Sequence, residues 1–321
     1  MTLAPWLHTP WTQLADRRAR GTLPHALLIC GPAGLDKRGF ADAFANALLC
    51  ERSSGAEMAC GMCRACLLVA AGSHPDRVNI RLELRDDGKP RTEITVDQIR
   101  YLSERMALTP QFGGLQVASI DPADQMNQSA GNALLKTLEE PTSATVILLI
   151  ADDPSRLSAT IRSRCQRIDI KLPPFADADK WLRDQGVDEK TAASALHASS
   201  GNPGLALRWI KDGGLALRSE VAVDVRALCV GKSSLVEVAN RWAKNEPEWR
   251  LWFAASLIRE EADAQARGAS GPLALTSRRD FTKLSRWFDQ NNRARAQLRG
   301  PLRAELVVLD ALSGLAELRS A

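Results

Sequence analysis

The chain has 321 residues, 45% hydrophobic and 25% charged, which suits about two ordinary folded domains and excludes a disordered tail. Lys and Arg exceed Asp and Glu by four (42 against 38) with no basic run, so nucleic-acid contact is permitted but not argued for. The opening "MTLAPWLHTPWTQLADRRARG" lacks the pattern of a secretory leader, and no apolar stretch reaches the ~18 residues of a membrane span, so a cytoplasmic protein is expected.

Residues 25 to 172 alternate strand and helix signals. "HALLIC" (25 to 30) is a short apolar run ending in a glycine turn, as a buried parallel strand would be. Phe40, Ala43, Phe44, Ala47 and Leu48 then recur at helical spacing. "DDGKP" lies between two β-rich runs and predicts a hairpin over 80 to 95. "LQVASID" (115 to 121) and "ATVILLIA" (144 to 151) are further buried strands. Between them "NQSAGNALLKTLEE" predicts a helix with Ala130, Ala133, Leu134 and Leu138 on one face and Pro141 after its end. Strands alternating with helices imply a parallel sheet covered on both faces.

"KLPPF" (171 to 175) punctuates the chain, and "KDGG" before residue 214 provides a second break. Everything beyond reads as helix, with Leu302, Leu306, Leu309, Leu312 and Leu315 as an amphipathic stripe. Trp242, Trp249, Trp252 and Trp287 read as core residues. The expected class is α/β plus all-α, in three domains: residues 1–172 with a metal module at about 50–70, a small helical domain at 173–212, and a helical domain at 213–321.

Cys50, Cys60, Cys63 and Cys66 give C-x9-C-x2-C-x2-C. In a reducing compartment such a group suggests metal before disulfide. Tetrahedral zinc takes four thiolates at about 2.3 Å, and C-x2-C turns present two at once. The rivals are an iron–sulfur cluster and free thiols on a helix. The ferredoxin spacing puts its fourth Cys after three residues that follow the third; here Leu67, Leu68 and Val69 follow Cys66 with no Cys directly after them, so a closed structural Zn2+ site is expected.

"GPAGLDKR" (31 to 38) is a phosphate-binding loop with two substitutions. The pattern G-x-x-x-x-G-K-[ST] is met by Gly31 and Lys37, but Asp36 stands at the second glycine and Arg38 at the hydroxyl. Asp36 brings a like charge towards phosphate, costing about 3 kcal/mol at ~5 Å and an effective dielectric of ~20. Arg38 cannot ligate magnesium. In "ASIDPADQM", Asp121 could hold a metal ion, but Pro122 occupies the place of the water-activating glutamate. Gly31, Pro32, Gly34 and Lys37 survive, which leaves room for weak nucleotide binding but not for turnover. A chance glycine turn is the plain alternative.

With "NALLKTLEEP" (132 to 141) and "ATIRSRCQRI" (159 to 168) in view, the chain resembles the clamp-loader branch of the AAA+ ATPases, in the line of bacterial DNA polymerase III subunits. The cysteine cluster, "AGSHPD" (71 to 76) and the altered loop belong to the same resemblance. It covers nearly all of residues 1 to 172, continues weakly through "ASSGNPGLAL" (198 to 207), and beyond about 214 rests on length and helical character.

The resemblance implies an AAA+ parallel-sheet domain, a small lid domain and a C-terminal collar for oligomerisation. Its "SRC" motif, Ser163, Arg164 and Cys165, implies that Arg164 is an arginine finger reaching ATP held by a neighbouring subunit. It also implies a sensor arginine near Pro203 or Gly204, which this chain lacks. The implied partners are gamma/tau and delta subunits of DNA polymerase III and, through the complex, the sliding clamp and primer-template DNA. ATP is then bound by partner subunits, and the isolated chain, a component of a polymerase holoenzyme, has no catalysis of its own. Two readings compete: a motor subunit equivalent to gamma/tau, and a zinc-stabilised DNA-binding module. The first needs a glycine at 36, a hydroxyl at 38 and an acid at 122; the second has only the mild charge excess behind it.

Overall fold

The structure, a computed structural model, describes residues 3–53, 57–85, 88, 91–142, 144–273, 281–298, 300 and 302–315. The chain divides into two compact units, Met1–Trp181 with Asn202–Leu205, and Leu182–Gly201 with Ala206–Ala321.

In the first unit α1 (His8–Ala19) precedes β1 (Ala26–Cys30), α2 (Lys37–Leu49), α3 (Arg64–Ala70), β2 (Arg77–Arg81), α4 (Val96–Met106), β3 (Gln116–Asp121), α5 (Gln128–Glu139), β4 (Thr145–Ala151), α6 (Ala159–Arg164) and β5 (Gln166–Asp169). The five strands form one parallel sheet in the order β2-β3-β4-β1-β5. Alternate residues of the central strands serve opposite faces. Leu27, Ile29, Leu148 and Ile150 pack with Trp11, Phe40 and Phe44 from α1 and α2, whereas Leu28, Cys30, Ile147 and Leu149 pack with residues of α4, α5 and α6. Burial on both faces is why β1 and β4 are unbroken apolar runs.

Local chemistry fixes where the helices start. Thr95 and Gln98 form a capping box on α4; the side chain of Asn127 accepts from Ala130 N–H at the head of α5, and that of Ser158 from Ile161 N–H at the head of α6. In the expected hairpin over 80–95, residues 86, 87, 89 and 90 of the tip lie outside the described residues. Its first arm overlaps β2, which begins at Arg77 and pairs in parallel with β3, and Arg91 N–H donates to the Glu83 carbonyl.

The chain continues through α7 (Phe175–Asp184), α8 (Glu189–Ala198) and α9 (Pro203–Lys211). The second unit is helical throughout its described residues, with α10 (Gly214–Cys229), α11 (Leu235–Lys244), α12 (Pro247–Ala266), α13 (Phe281–Gln297) and α14 (Ala304–Ser313). Trp242 and Trp287 are buried, their indole N–H groups bound to Asp224 Oδ2 at 2.8 Å and the Ala311 carbonyl at 2.7 Å. Trp249 and Trp252 are half-buried around Trp209. The leucine stripe divides: Leu312 and Leu315 are buried, but Leu302 and Leu306 are exposed, because α14 turns Val307, Val308 and Ala311 inward. No helix of the described residues is long and apolar enough to cross a membrane.

Candidate functional site

Three groups of residues were marked by the sequence, and all lie in the first unit. The phosphate loop joins β1 to α2 at the carboxyl end of the sheet, where α/β folds bind ligands. Gly31 has φ +149°, and a Cβ there would lie 2.1 Å from the Ile170 carbonyl oxygen, so only glycine fits. Asp36 takes the left-handed conformation that the missing glycine would have supplied, at φ +57°. Its carboxylate lies over Gly39 in the first turn of α2, where a Cβ would come within 2.5 Å of it, and burial raises its pKa.

Lys37 does not reach outward. Its side chain is 1% exposed, and Nζ lies 2.6 Å from Asp152 Oδ1 and donates to the Pro32 carbonyl at 2.7 Å. Arg38 closes the same cluster: Nε is 2.9 Å from Asp121 Oδ1 and 3.0 Å from Oδ2, and Nη2 is 3.5 Å from Asp152 Oδ2. The guanidinium therefore stands between two carboxylates that could otherwise share a divalent cation. The two acids respond in opposite directions. Burial raises the pKa of Asp121 over the opposing pull of Arg38, whereas Lys37 and Arg38 together hold Asp152 below the usual carboxylate range in spite of its burial.

The other side of the loop is also occupied. Asn202 Nδ2 donates to the Ala33 carbonyl at 2.7 Å and Trp6 Nε1 to the Leu35 carbonyl at 3.1 Å. A Cβ at Gly204 would fall 1.7 Å from the Gly34 carbonyl oxygen, so the start of α9 lies directly on the loop. Gly31, Gly34 and Lys37 are thus brought together as the motif implies, but with protein groups as their partners. Asp152 and Asn202 escaped sequence reasoning. The position of Asp152, one residue past a buried parallel strand, was the available signal for it.

The cysteine cluster lies at the opposite end of α2. Cys50 is the residue that ends α2, and Cys63 caps α3, its Sγ accepting from Cys66 N–H at 3.4 Å. The sulfurs of Cys50, Cys60, Cys63 and Cys66 all lie within 4.8 Å of one another, with Cys50–Cys63 at 3.9 Å and Cys60–Cys66 at 4.0 Å. Four sulfurs about 2.3 Å from one tetrahedral ion are ~3.8 Å apart, so the donor set fits a metal ion with little adjustment. Backbone N–H groups of Met62 and Cys63 point at Cys60 Sγ and lower its pKa to about 6, while burial pushes the Cys66 thiol up to about 12. A cation bound among them would favour the thiolate form of its sulfur ligands.

The surroundings hold the cluster in shape. Arg18 of α1 donates to the carbonyls of Ala47 and Ser53 at 2.8 and 3.0 Å and to Ser53 Oγ at 3.1 Å, which pins the chain where it leaves α2. Phe112 packs against the cysteines, with the His74 ring 4.8 Å away and the Arg64 guanidinium 5.4 Å from its centroid. Cys30 and Cys165 lie elsewhere, and burial first of all raises both thiols to about 11, which suits inert core residues.

Arg164 is the last residue of α6, and its side chain is 34% exposed. Nη2 lies 2.6 Å from Glu139 Oε1, and Nη1 donates to the Thr160 carbonyl at 3.1 Å. The nearby Arg167 differs, being turned back on Asp169 of its own strand at 2.7 Å.

Residues 7–174 match the family model described as "DNA polymerase III, delta subunit". A DNA polymerase III subunit delta-prime of Pseudomonas aeruginosa is 41% identical over 240 residues, 74% of this chain and 70% of that one. The Escherichia coli subunit delta-prime is 36% identical over 204 residues, 63% of this chain and 59% of that one. A DNA polymerase III subunit tau of Bacillus subtilis is 35% identical over 181 residues, 53% of this chain and 31% of that one. With the parallel sheet, the altered loop and the four-cysteine cluster in place, these matches assign the chain to the delta-prime family of DNA polymerase III clamp-loader subunits.

Proposed function

We propose that this chain is a non-hydrolysing clamp-loader subunit that lends Arg164 to ATP bound by a neighbouring gamma/tau subunit. Together with gamma/tau and delta it opens the sliding clamp and places it on primer-template DNA. Residues 173–212 serve as the lid and 213–321 as the collar of the assembly. The metal held by Cys50, Cys60, Cys63 and Cys66 is zinc, and its role is structural.

The observation that carries this reading is the Arg38 guanidinium between Asp121 and Asp152. A loop that answers its carboxylates with an internal cation does not seat Mg–ATP, and Lys37, ion-paired to Asp152, is not available to a γ-phosphate. Arg164, by contrast, ends a helix at the surface with a planar fork suited to phosphate oxygens.

Substituting Arg164→Ala in the complex reconstituted with gamma/tau and delta tests it. Assembly is expected to be unchanged, and DNA- and clamp-stimulated ATP hydrolysis at the neighbouring site to fall at least about tenfold. Unchanged turnover rejects the role. ATP turnover by the pure, isolated chain at a rate typical of a motor supports the gamma/tau-like reading instead.

A further inference from the structure

The Arg164 fork has a second partner within the chain, in the stretch "NALLKTLEEP". Glu139 is the last residue of α5, whose other face is locked into the core by Ala130, Leu134 and Leu138. Pro141 follows, so the helix cannot continue and the Glu139 backbone is fixed. The helix that carries Arg164, α6, has only six residues; it is held by the Ser158 cap and by Ile161, buried in the same core cluster. On so short a support a four-torsion side chain would sample many rotamers. Two acceptors narrow the choice: the Thr160 carbonyl takes Nη1, and the Glu139 carboxylate takes Nη2. Of the five N–H donors of a guanidinium, these bonds use two and leave three for an incoming oxyanion.

We infer that Glu139 is a positioning residue for Arg164, fixing the plane and direction of its guanidinium before the neighbouring subunit docks. This rests on the reading of Arg164 proposed above. A surface ion pair at this exposure adds little to folding stability. Its effect is to set geometry, and orientation of a reacting group is worth more in rate than in stability.

The test uses the assembled complex carrying Glu139→Ala, Glu139→Gln or Arg164→Ala, and measures stimulated ATP turnover against ATP concentration together with the melting temperature of the free chain. Glu139→Ala is expected to lower kcat about three- to tenfold with KM changed less than about twofold, at an unaltered melting temperature. Glu139→Gln, which keeps an oxygen acceptor for Nη2, recovers at least about half of the wild-type kcat. If Glu139→Ala turns over as fast as wild type or faster while Arg164→Ala is impaired, the positioning role is wrong and the finger stands. If Arg164→Ala itself is unimpaired, the finger fails and Glu139 loses its role with it.

Discussion

The two ends of α2 face the same problem, a concentration of charged or ionisable side chains, and solve it differently. At the amino end Lys37 and Arg38 neutralise Asp121 and Asp152, and Asn202 and Trp6 take the loop carbonyls. At the carboxyl end four sulfurs converge with backbone N–H groups as their neighbours and no cationic side chain inside the cluster. Both ends carry familiar motifs. One meets its charges with partners inside the chain, and the other offers a donor set that could hold an ion. A motif therefore signals a ligand only when its donors lack an answer within the chain itself.

Metal removal is the strongest way to break this comparison. Chelation, or Cys63→Ser, is expected to release one zinc per chain and lower the melting temperature on the order of 10 °C, because metal binding energy is folding energy. Elemental analysis with a thermal scan checks it; an iron-containing preparation, or a stable metal-free protein, contradicts the contrast.

Next in size is Lys37→Met. It leaves Asp152 with only Arg38 as a cationic partner and should cost about 2–3 kcal/mol in denaturant unfolding, below the full penalty for a buried pair because Asp152 is 30% exposed. The loader's ATPase should stay near wild type. A collapse of turnover without loss of stability would make Lys37 a nucleotide ligand after all.

Acid sharpens the comparison with the smallest effect. Burial lowers the pKa of His74, which packs on Phe112 beside the cysteines. Below about pH 6.5 the unfolded chain thus takes up a proton that the folded chain refuses, and stability declines by at most about 1.4 kcal/mol per pH unit. Asp152 is depressed instead. Its contribution is intact above about pH 3.9 and disappears only as pH falls through its still lower folded value. Melting curves of His74→Gln between about pH 7 and 2, with zinc content followed in parallel, should lose the upper slope and keep the lower one.

The sequence foretold the elements that are buried on both sides. β1 and β4 announce themselves because neither face meets water, and α5 because its apolar face and its asparagine cap agree. The edge strands were hidden: "RVNIR" and "QRID" carry charged residues on the solvated side and have only five and four residues. The cysteine spacing was legible because its ligands are neighbours in the chain. Asp152 and Glu139 were not, since Lys37 meets Asp152 only through the adjacency of β1 and β4, and Arg164 meets Glu139 only through the packing of α5 on α6. The face of the C-terminal leucine stripe was misjudged for a related reason: helix periodicity gives the spacing, whereas the neighbouring helices choose which side turns inward.

The approach of Gly204 to Gly34 works as a latch. With 1.7 Å between the carbonyl oxygen of one and the place where any side chain of the other would begin, no arginine fits at 204 unless the loop itself moves. Moving it means giving up the Asn202 bond to Ala33. An arginine at 204 would thus require the loop and the start of α9 to shift together, a change opposed by steric geometry as well as by that hydrogen bond.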